Sequence, residues 1–232
     1  MAQVKILIEG YARKLKNNNW IASSTVCLIT TGNKKIITDP GCNRKKLLKA
    51  LAKEKLATAD IDYIFLSHHH PDHILLAGIF EKARFITFDN NLMYHHDQMT
   101  EFGPHALSPD IEIIETPGHT LEHLSLLVDT PQGKVAIAGD VVWWKKGEKQ
   151  IFRLNQKDHS EAKGMDMKKL ITSRKKILKL ADYIIPGHGK MFKNLELRNS
   201  LPTQNHLAIK SQPSWSSIRF DSEIYGSLSV KT

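Results

Sequence analysis

Ser67-His68-His69-His70-Pro71-Asp72-His73, entered from the run Ile61-Asp62-Tyr63-Ile64-Phe65-Leu66, is the stretch on which the reading of the fold turns. Residues 61–66 are mostly apolar, β-branched or aromatic, the pattern of a short buried strand. Pro71 and Asp72 stop regular pairing, so the residues after Leu66 sit on a turn at the strand's end, supported by the sheet beneath. His68, His70 and Asp72 alternate and His73 follows at once, which puts four side chains of the kind that bind Zn²⁺ into six positions. A lone histidine is usually a satisfied surface or core residue. A run this dense is explained by metal binding and not by packing.

Working outward, Val4 to Gly10 reads as a first strand, and Asn17 to Asn19 breaks the pattern. Ser24 to Thr30 resumes it and joins Lys35 to Thr38 through Thr31-Gly32-Asn33 in the manner of a hairpin, closed by Asp39-Pro40-Gly41. Asn43 is placed to cap a helix reaching about Leu56, with Leu47, Leu48, Leu51 and Ala52 on one face. A second helix is expected from near His73 to Phe80, then a strand from Arg84 to Phe88. Residues 89–110 read as a polar, irregular rim loop, in which His95 and His96 lack a partner at ligand spacing. Strands follow at Ile111 to Glu115, Leu124 to Asp129, Lys134 to Ala138 and Tyr183 to Ile185, with an amphipathic helix from Asp166 to Leu180. Arg174 falls on that helix's apolar stripe, either aimed at the site or snorkelling to solvent. From Leu195 the chain turns to Ser, Asn, Gln and Pro without periodicity. Residues 1–194 are therefore expected as one domain and 195–232 as a disordered or loosely docked tail.

Three further strand ends carry a metal-type residue beside a glycine: Gly118-His119, Gly139-Asp140 and Gly187-His188. Glycine lets backbone approach a crowded site closely. Each is weak alone, but together they form a repeated grammar in which every strand delivers one ligand to the same edge.

The bulk properties are those of a protein with a real core: 232 residues, 41% hydrophobic and 25% charged. No apolar run nears the length of a membrane span. The opening Met1 to Lys5 shows no signal-peptide layout, and two cysteines suit a reducing compartment, so a cytoplasmic location without membrane association is expected. Cys27 reads as core and Cys42 as lying outside the site. The net charge of +9 is uneven: Lys145 to Lys179 holds twelve basic and four acidic residues, a local +8. That segment is either a field that attracts polyanions or a solvated lysine-rich face.

The set His68-x-His70-x-Asp72-His73, His119, Asp140 and His188, in this order, resembles the metallo-β-lactamase superfamily over residues 3–192. The resemblance implies an α/β fold, a four-layered αβ/βα sandwich with a binuclear site along one edge. It implies that His68, His70 and His119 hold one metal, that Asp72, His73 and His188 hold the other, and that Asp140 bridges them. It implies two divalent metal ions, Zn²⁺ first, with Fe or Mn also compatible. A hydroxide shared between them would be the nucleophile, with Asp72 and Asp140 as the catalytic carboxylates. By the same likeness Asp39 and His123 stand behind the ligands and organise them, and His69 points away.

Ser173 to Leu178, Ala181 to Gly189, His73 to Phe80 and Ala138 to Val141 are similar to the small stand-alone metallo-β-lactamase domain-containing protein 1 type. That likeness implies an endoribonuclease, a phosphodiesterase acting on RNA or another anionic substrate. Trp143, Trp144 and Phe152 are candidate stacking platforms, and Trp143, Arg174 and Lys175 the candidate substrate-binding side chains. Thr120-Leu121-Glu122-His123 is instead similar to lactonases and glyoxalase-type thioesterases, so a small-molecule ester, lactone, thioester or β-lactam hydrolase is the alternative. A non-catalytic metal-binding module is a third reading, and a homo-oligomer is an open expectation.

Overall fold

Along Val26–Thr31, Cys27 and Ile29 enter one apolar cluster while Val26 and Leu28 enter another, because successive strand side chains point to opposite faces. The whole architecture follows from that alternation. In the computed structural model, which describes residues 1–16, 19–87, 92–160 and 164–194, β1 (Gln3–Ile8) pairs antiparallel with β4 (Val26–Thr31), and β4 with β5 (Lys34–Thr38). From β5 the sheet continues in parallel to β6 (Tyr63–Phe65) and β7 (Arg84–Ile86). A hairpin of β8 (Leu92–His95) and β9 (Gln98–Glu101) completes seven strands. A two-stranded ribbon, β2 (Tyr11–Lys14) and β3 (Trp20–Ser23), stands apart. The second sheet has five strands in sequence order: β10 (Ile111–Glu115), β11 (Leu124–Thr130), β12 (Gly133–Ile137), β13 (Tyr183–Ile185) and β14 (Phe192–Lys193).

The sheets face each other across one core, with Ile29, Ile36, Phe65 and Ile86 from the first against Leu126, Val128, Ile137 and Ile185 from the second. On the first sheet's other face, Leu28, Ile37 and Ile64 pack against Leu47 and Leu51 of α1 (Arg44–Lys53). Helix α3 (Met167–Leu180) lies against β12 and buries Leu170, Ile177 and Leu178. The layers are therefore helix, sheet, sheet, helix.

The halves repeat one another. In each, an antiparallel pair leads to a third antiparallel strand and then a parallel fourth: β1-β4-β5-β6 and β10-β11-β12-β13. Even the exits match, since Asp39 N–H bonds Phe65 O at 2.8 Å and Ala138 N–H bonds Ile185 O at 2.9 Å. Asp39 and Asp140 thus follow equivalent strands, as do His68 and His188.

The described residues correct several expectations. Only Pro71–Ile74 forms α2, followed by a 3-10 turn at Ala77–Ile79, where a continuous helix was expected. The rim loop contains the β8–β9 hairpin. Helix α1 stops at Lys53, and Leu48 on it is 40% exposed. The β2–β3 ribbon was not foreseen. Asn17, Asn18, Phe88 and the tail from residue 195 lie outside the described residues.

Candidate metal centre

The end of β5 organises the first ligands. Asp39 has φ 41°, uncommon for a residue with a Cβ, and aims its carboxylate at the next strand end. Its Oδ1 accepts Ser67 N–H at 2.7 Å, while Oδ2 accepts the Ser67 hydroxyl at 2.7 Å and His73 Nδ1–H at 3.0 Å. With its proton given to Asp39, Ser67 Oγ accepts from His68 Nδ1 at 2.9 Å. His119 Nδ1 donates to Asp158 Oδ2 at 2.6 Å, and His188 Nδ1 donates to Ser23 O at 3.1 Å. All four imidazoles therefore commit Nδ1 outward and turn Nε2 toward one another.

The inward atoms fall into two groups. His68 Nε2 and His119 Nε2 lie 2.9 and 3.0 Å from His70 Nδ1, and His119 Nε2 lies 3.4 Å from Asp140 Oδ2. In the second group, Asp72 Oδ2 is 3.2 Å from His188 Nε2 and 4.0 Å from His73 Nε2. Asp140 reaches this group as well, 3.3 Å from His73 Nε2 and 3.5 Å from His188 Nε2. His68, His70, His119 and Asp140 have donor atoms within 4.8 Å of one another, as do Asp72, His73 and His188.

In the metal-free protein His70 Nδ1–H can donate to His68 Nε2 or to His119 Nε2, and a cation among the three rings would take their lone pairs instead. Burial, then the charge of His73, holds His68 well below the usual histidine pKa, and burial with His119 lowers His70. In the second group burial also opposes charge, but carboxylates win: Asp140 and Asp39 hold His73 well above its usual value, and Asp140 with Asp72 raises His188 to about 9. Burial opposes ionisation of Asp140 and Asp72 too. The imidazoles of His188 and His73 outweigh it and hold both carboxyls low. His73 Nε2 and Asp140 Oδ1 are buried without a hydrogen-bond partner among the described residues, although buried polar atoms are normally paired. Orphaned donors, converging lone pairs and a shared carboxylate fit two divalent cations, and imidazole with carboxylate suits zinc, iron or manganese.

Backbone constraints keep Asp140 in place. A Cβ on Gly187 would overlap the Asp140 carboxylate, and one on Gly139, at φ 52°, would stand 2.8 Å from His123 Nε2. His123 lies behind the ligands. Its Nε2 accepts Asp140 N–H at 3.2 Å, which forces Nδ1 to donate to Thr116 Oγ1 at 2.9 Å. Thr116 then donates to Ser125 Oγ at 2.7 Å, and Ser125 to Ala138 O at 3.2 Å. Burial and neighbouring imidazoles hold His123 well below its usual pKa, consistent with a neutral ring in this buried chain.

Asp158 escaped the sequence reading, where it counted only as an opposing charge. It is buried in an irregular segment between β12 and α3, and besides His119 it accepts Ser160 N–H at 2.8 Å and Trp143 Nε1–H at 3.3 Å. No spacing motif marks it. The usable signal is general: an imidazole that binds metal needs an acceptor on its other nitrogen, and His119 had none assigned.

The remaining candidates sort by position. Trp143 lines a cleft of about 180 Å³ with His70, Asp72 and His119, and its ring meets Trp20 edge-on at 6.4 Å. Arg174 does not reach the cleft: its buried guanidinium donates to the carbonyls of Val141 at 2.9 Å, Leu154 at 3.0 Å and Gln156 at 2.6 Å. A planar fork surrounded by carbonyls is a strap for the loop, which corrects its assignment to substrate. Lys175 is exposed on α3, away from the cleft lining. Trp144 and Phe152 both pack on Phe192. His69 meets Thr87 Oγ1 at 2.8 Å, Cys42 Sγ meets Ala22 O at 3.1 Å, and His95 and His96 pack against each other with rings tilted by 51° in the β8–β9 hairpin.

Residues 21–108 match the family model described as metallo-beta-lactamase superfamily. A Xenopus laevis protein called metallo-beta-lactamase domain-containing protein 1 is 31% identical over 82% of this chain and 81% of its own length. The chain covers 56% of the mouse and human proteins of that name. Among solved structures, TTHA1623 in a di-iron-bound form superposes with a TM-score of 0.56 at 21% identity, covering 75% of this chain and 92% of that one. The dizinc quorum-quenching lactonase AidC, in complex with a product, gives 0.53 at 20% identity, covering 74% of both chains. Sandwich, donor cluster and likeness together define a metal-dependent hydrolase. The chain belongs to the metallo-β-lactamase superfamily, with the Xenopus protein among its relatives.

Proposed function

We propose that the protein is a binuclear phosphodiesterase that cleaves RNA, with zinc as the resident metal. The observation that carries the hydrolase chemistry is Asp140 standing within 3.5 Å of ligand nitrogens in both donor groups. His68, His70 and His119 would hold one cation, Asp72, His73 and His188 the other, and Asp140 would touch both. Two divalent ions so placed supply a water acidified to a pKa of roughly 7 and stabilise charge on the attacked oxygen. Asp72 is the more exposed carboxylate, 24% against 6% for Asp140, and lines the cleft, where it would orient a water held there. Asp39, Asp158 and Ser23 keep the imidazoles from rotating, so the cleft is set before substrate enters.

Support for RNA comes from the positive charge of segment 145–179, of which Ser160 lines the cleft. A second reading, hydrolysis of a small ester, lactone or thioester, is favoured by the apolar wall of Ala12, Trp20, Ala22 and Trp143 on the same cleft. Turnover of single-stranded RNA, DNA, a lactone, a thioester and a cephalosporin, with the wild type and His70→Ala, decides between them. RNA cleavage that falls steeply between low and moderate salt and vanishes in His70→Ala is expected. Salt-independent turnover of a neutral lactone with no RNA cleavage would establish the second reading.

A further inference from the structure

The positive segment divides into two surfaces. Lys168, Lys169, Lys175 and Lys179 are exposed on α3, the outer helix layer. Lys149, Arg153 and Lys157 instead line a groove of about 510 Å³ in the irregular loop before it, together with Asn155, His159 and Trp144. This groove adjoins the metal cleft. His159 packs edge-on against Trp143 at 5.7 Å, and Trp143 and Ser160 line the cleft itself.

Among the described residues its charge is uncompensated. Glu148, an acidic residue lining it, is taken up by Lys145, through the backbone N–H at 3.0 Å and Nζ at 3.7 Å, and by His159 at 3.7 Å. Among the described residues Lys149, Arg153 and Lys157 form no ion pair. The loop is also held in shape. Arg174 fastens the carbonyls of Leu154 and Gln156, Asp158 fastens the loop to His119, and Gln150 bonds Lys190 N–H at 3.1 Å and Lys190 O at 3.5 Å. Three cations on a braced concave loop with adjacent amide and imidazole donors suit successive phosphates of a flexible strand. They do not suit a neutral small molecule.

We infer that this groove holds the backbone of single-stranded RNA flanking the scissile phosphate, while the lysines of α3 do not contact substrate. The inference rests on the RNA reading above. Three phosphate contacts contribute about 2 to the slope of log Kd against log salt for a single strand.

The test uses the full metal-loaded chain and a labelled single-stranded RNA. Kd, kcat and KM are compared for wild type, K149E/R153E/K157E, the milder K149Q/R153Q/K157Q, and K168E/K169E/K179E, which carries the same charge change as the first. Metal content and Tm confirm folding. The groove variants are expected to raise Kd and KM at least tenfold and lower the salt slope by about 2, with kcat within threefold of wild type, while the α3 variant stays within threefold throughout. Equal losses in the groove and α3 variants, or none in the groove variants, would overturn the groove and leave RNA cleavage by the wild type standing. Wild type that binds no RNA at 50 mM salt would overturn it too. Turnover of a lactone without RNA cleavage would separately overturn the functional reading.

Discussion

At the scale of single residues, the site is decided by what each imidazole does with its outward nitrogen. Asp39, Asp158 and Ser23 O accept from His73, His119 and His188, and Ser67 accepts from His68. Replacing Asp158 by Asn removes the charge beside His119 while keeping a similar shape. Such partners behind a ligand are worth about 10–100-fold in metal affinity. Asp158→Asn is therefore expected to weaken one of the two cations by that factor with far-UV CD unchanged, as read by competition with a chromophoric chelator. Unaltered affinity at both positions would show that Asp158 only holds the loop. Of the seven candidate ligands, His68, His70, Asp72 and His73 were legible as a dense run, and His119, Asp140 and His188 as metal-type residues beside glycine at strand ends. Asp158 was not, since a carboxylate in an irregular polar loop has no pattern until the fold brings it to His119.

The second group makes a prediction about pH. In metal-free protein the carboxylates raise His188 to about 9 from 6.5, and His73 moves in the same direction. A raised histidine adds stability that is full below its unfolded pKa and is lost as pH climbs through its folded one. Chelated protein is therefore expected to lose stability between pH about 6.5 and about 9. Cations must displace those protons, so metal affinity should rise over the same window, with protons released on binding. Tm measured in chelator should fall across that range while Tm in saturating metal stays level, so the gap between the two curves widens with pH. Parallel curves would mean that His188 and His73 are not where cations and protons compete.

At the scale of elements, strand ends were legible and short irregular pieces were not. Runs such as Ile111–Glu115 and Leu124–Thr130 carry enough apolar alternation to declare themselves. The β2–β3 ribbon has Lys and Arg on one strand and an exposed Trp20 on the other, so no periodicity marks it, although Ser23 at its end receives the His188 hydrogen bond. Helix α2 stops after one turn because the chain must return: Gly41 N–H bonds His73 O at 3.0 Å and Leu76 N–H bonds Gly41 O at 3.0 Å. Arg174 shows an element holding a loop. Its guanidinium is buried enough to lower its pKa to about 10, and it serves three carbonyls. Arg174→Ala would strand those carbonyls, at a cost of about 3 kcal/mol by the usual price of unpaired buried groups. Urea unfolding should show that loss, and limited trypsin digestion should find Arg153 and Lys157 cut faster. A variant as stable and as resistant as wild type would show that other contacts hold the loop.

At the scale of the whole molecule, the two sheets repeat one strand pattern and offer equivalent exits to a shared edge. His68, His70, Asp72 and His73 come from the first half, and His119, Asp140 and His188 from the second. Polar ties cross there as well, among them Leu124 N–H to Ser67 O at 2.8 Å, Thr25 N–H to Gly187 O at 2.7 Å, Gly189 N–H to Gly10 O at 3.1 Å and His188 Nδ1–H to Ser23 O at 3.1 Å. Cations held by both halves would add a further link between them, since each donor group draws on both. Binding to the folded state stabilises it by RT ln(1 + [L]/Kd), about 2.7 kcal/mol at one hundred times Kd. Excess zinc is therefore expected to raise the Tm of chelated protein by several degrees while unfolding stays a single transition followed alike by far-UV CD and tryptophan fluorescence. His188→Ala and His70→Ala, one from each half, should both reduce that rise. A rise that survives both substitutions would place the stabilising metal elsewhere. Two separated transitions in the metal-free chain would show that the halves are joined by cations alone and that the apolar layer between the sheets is too weak to couple them.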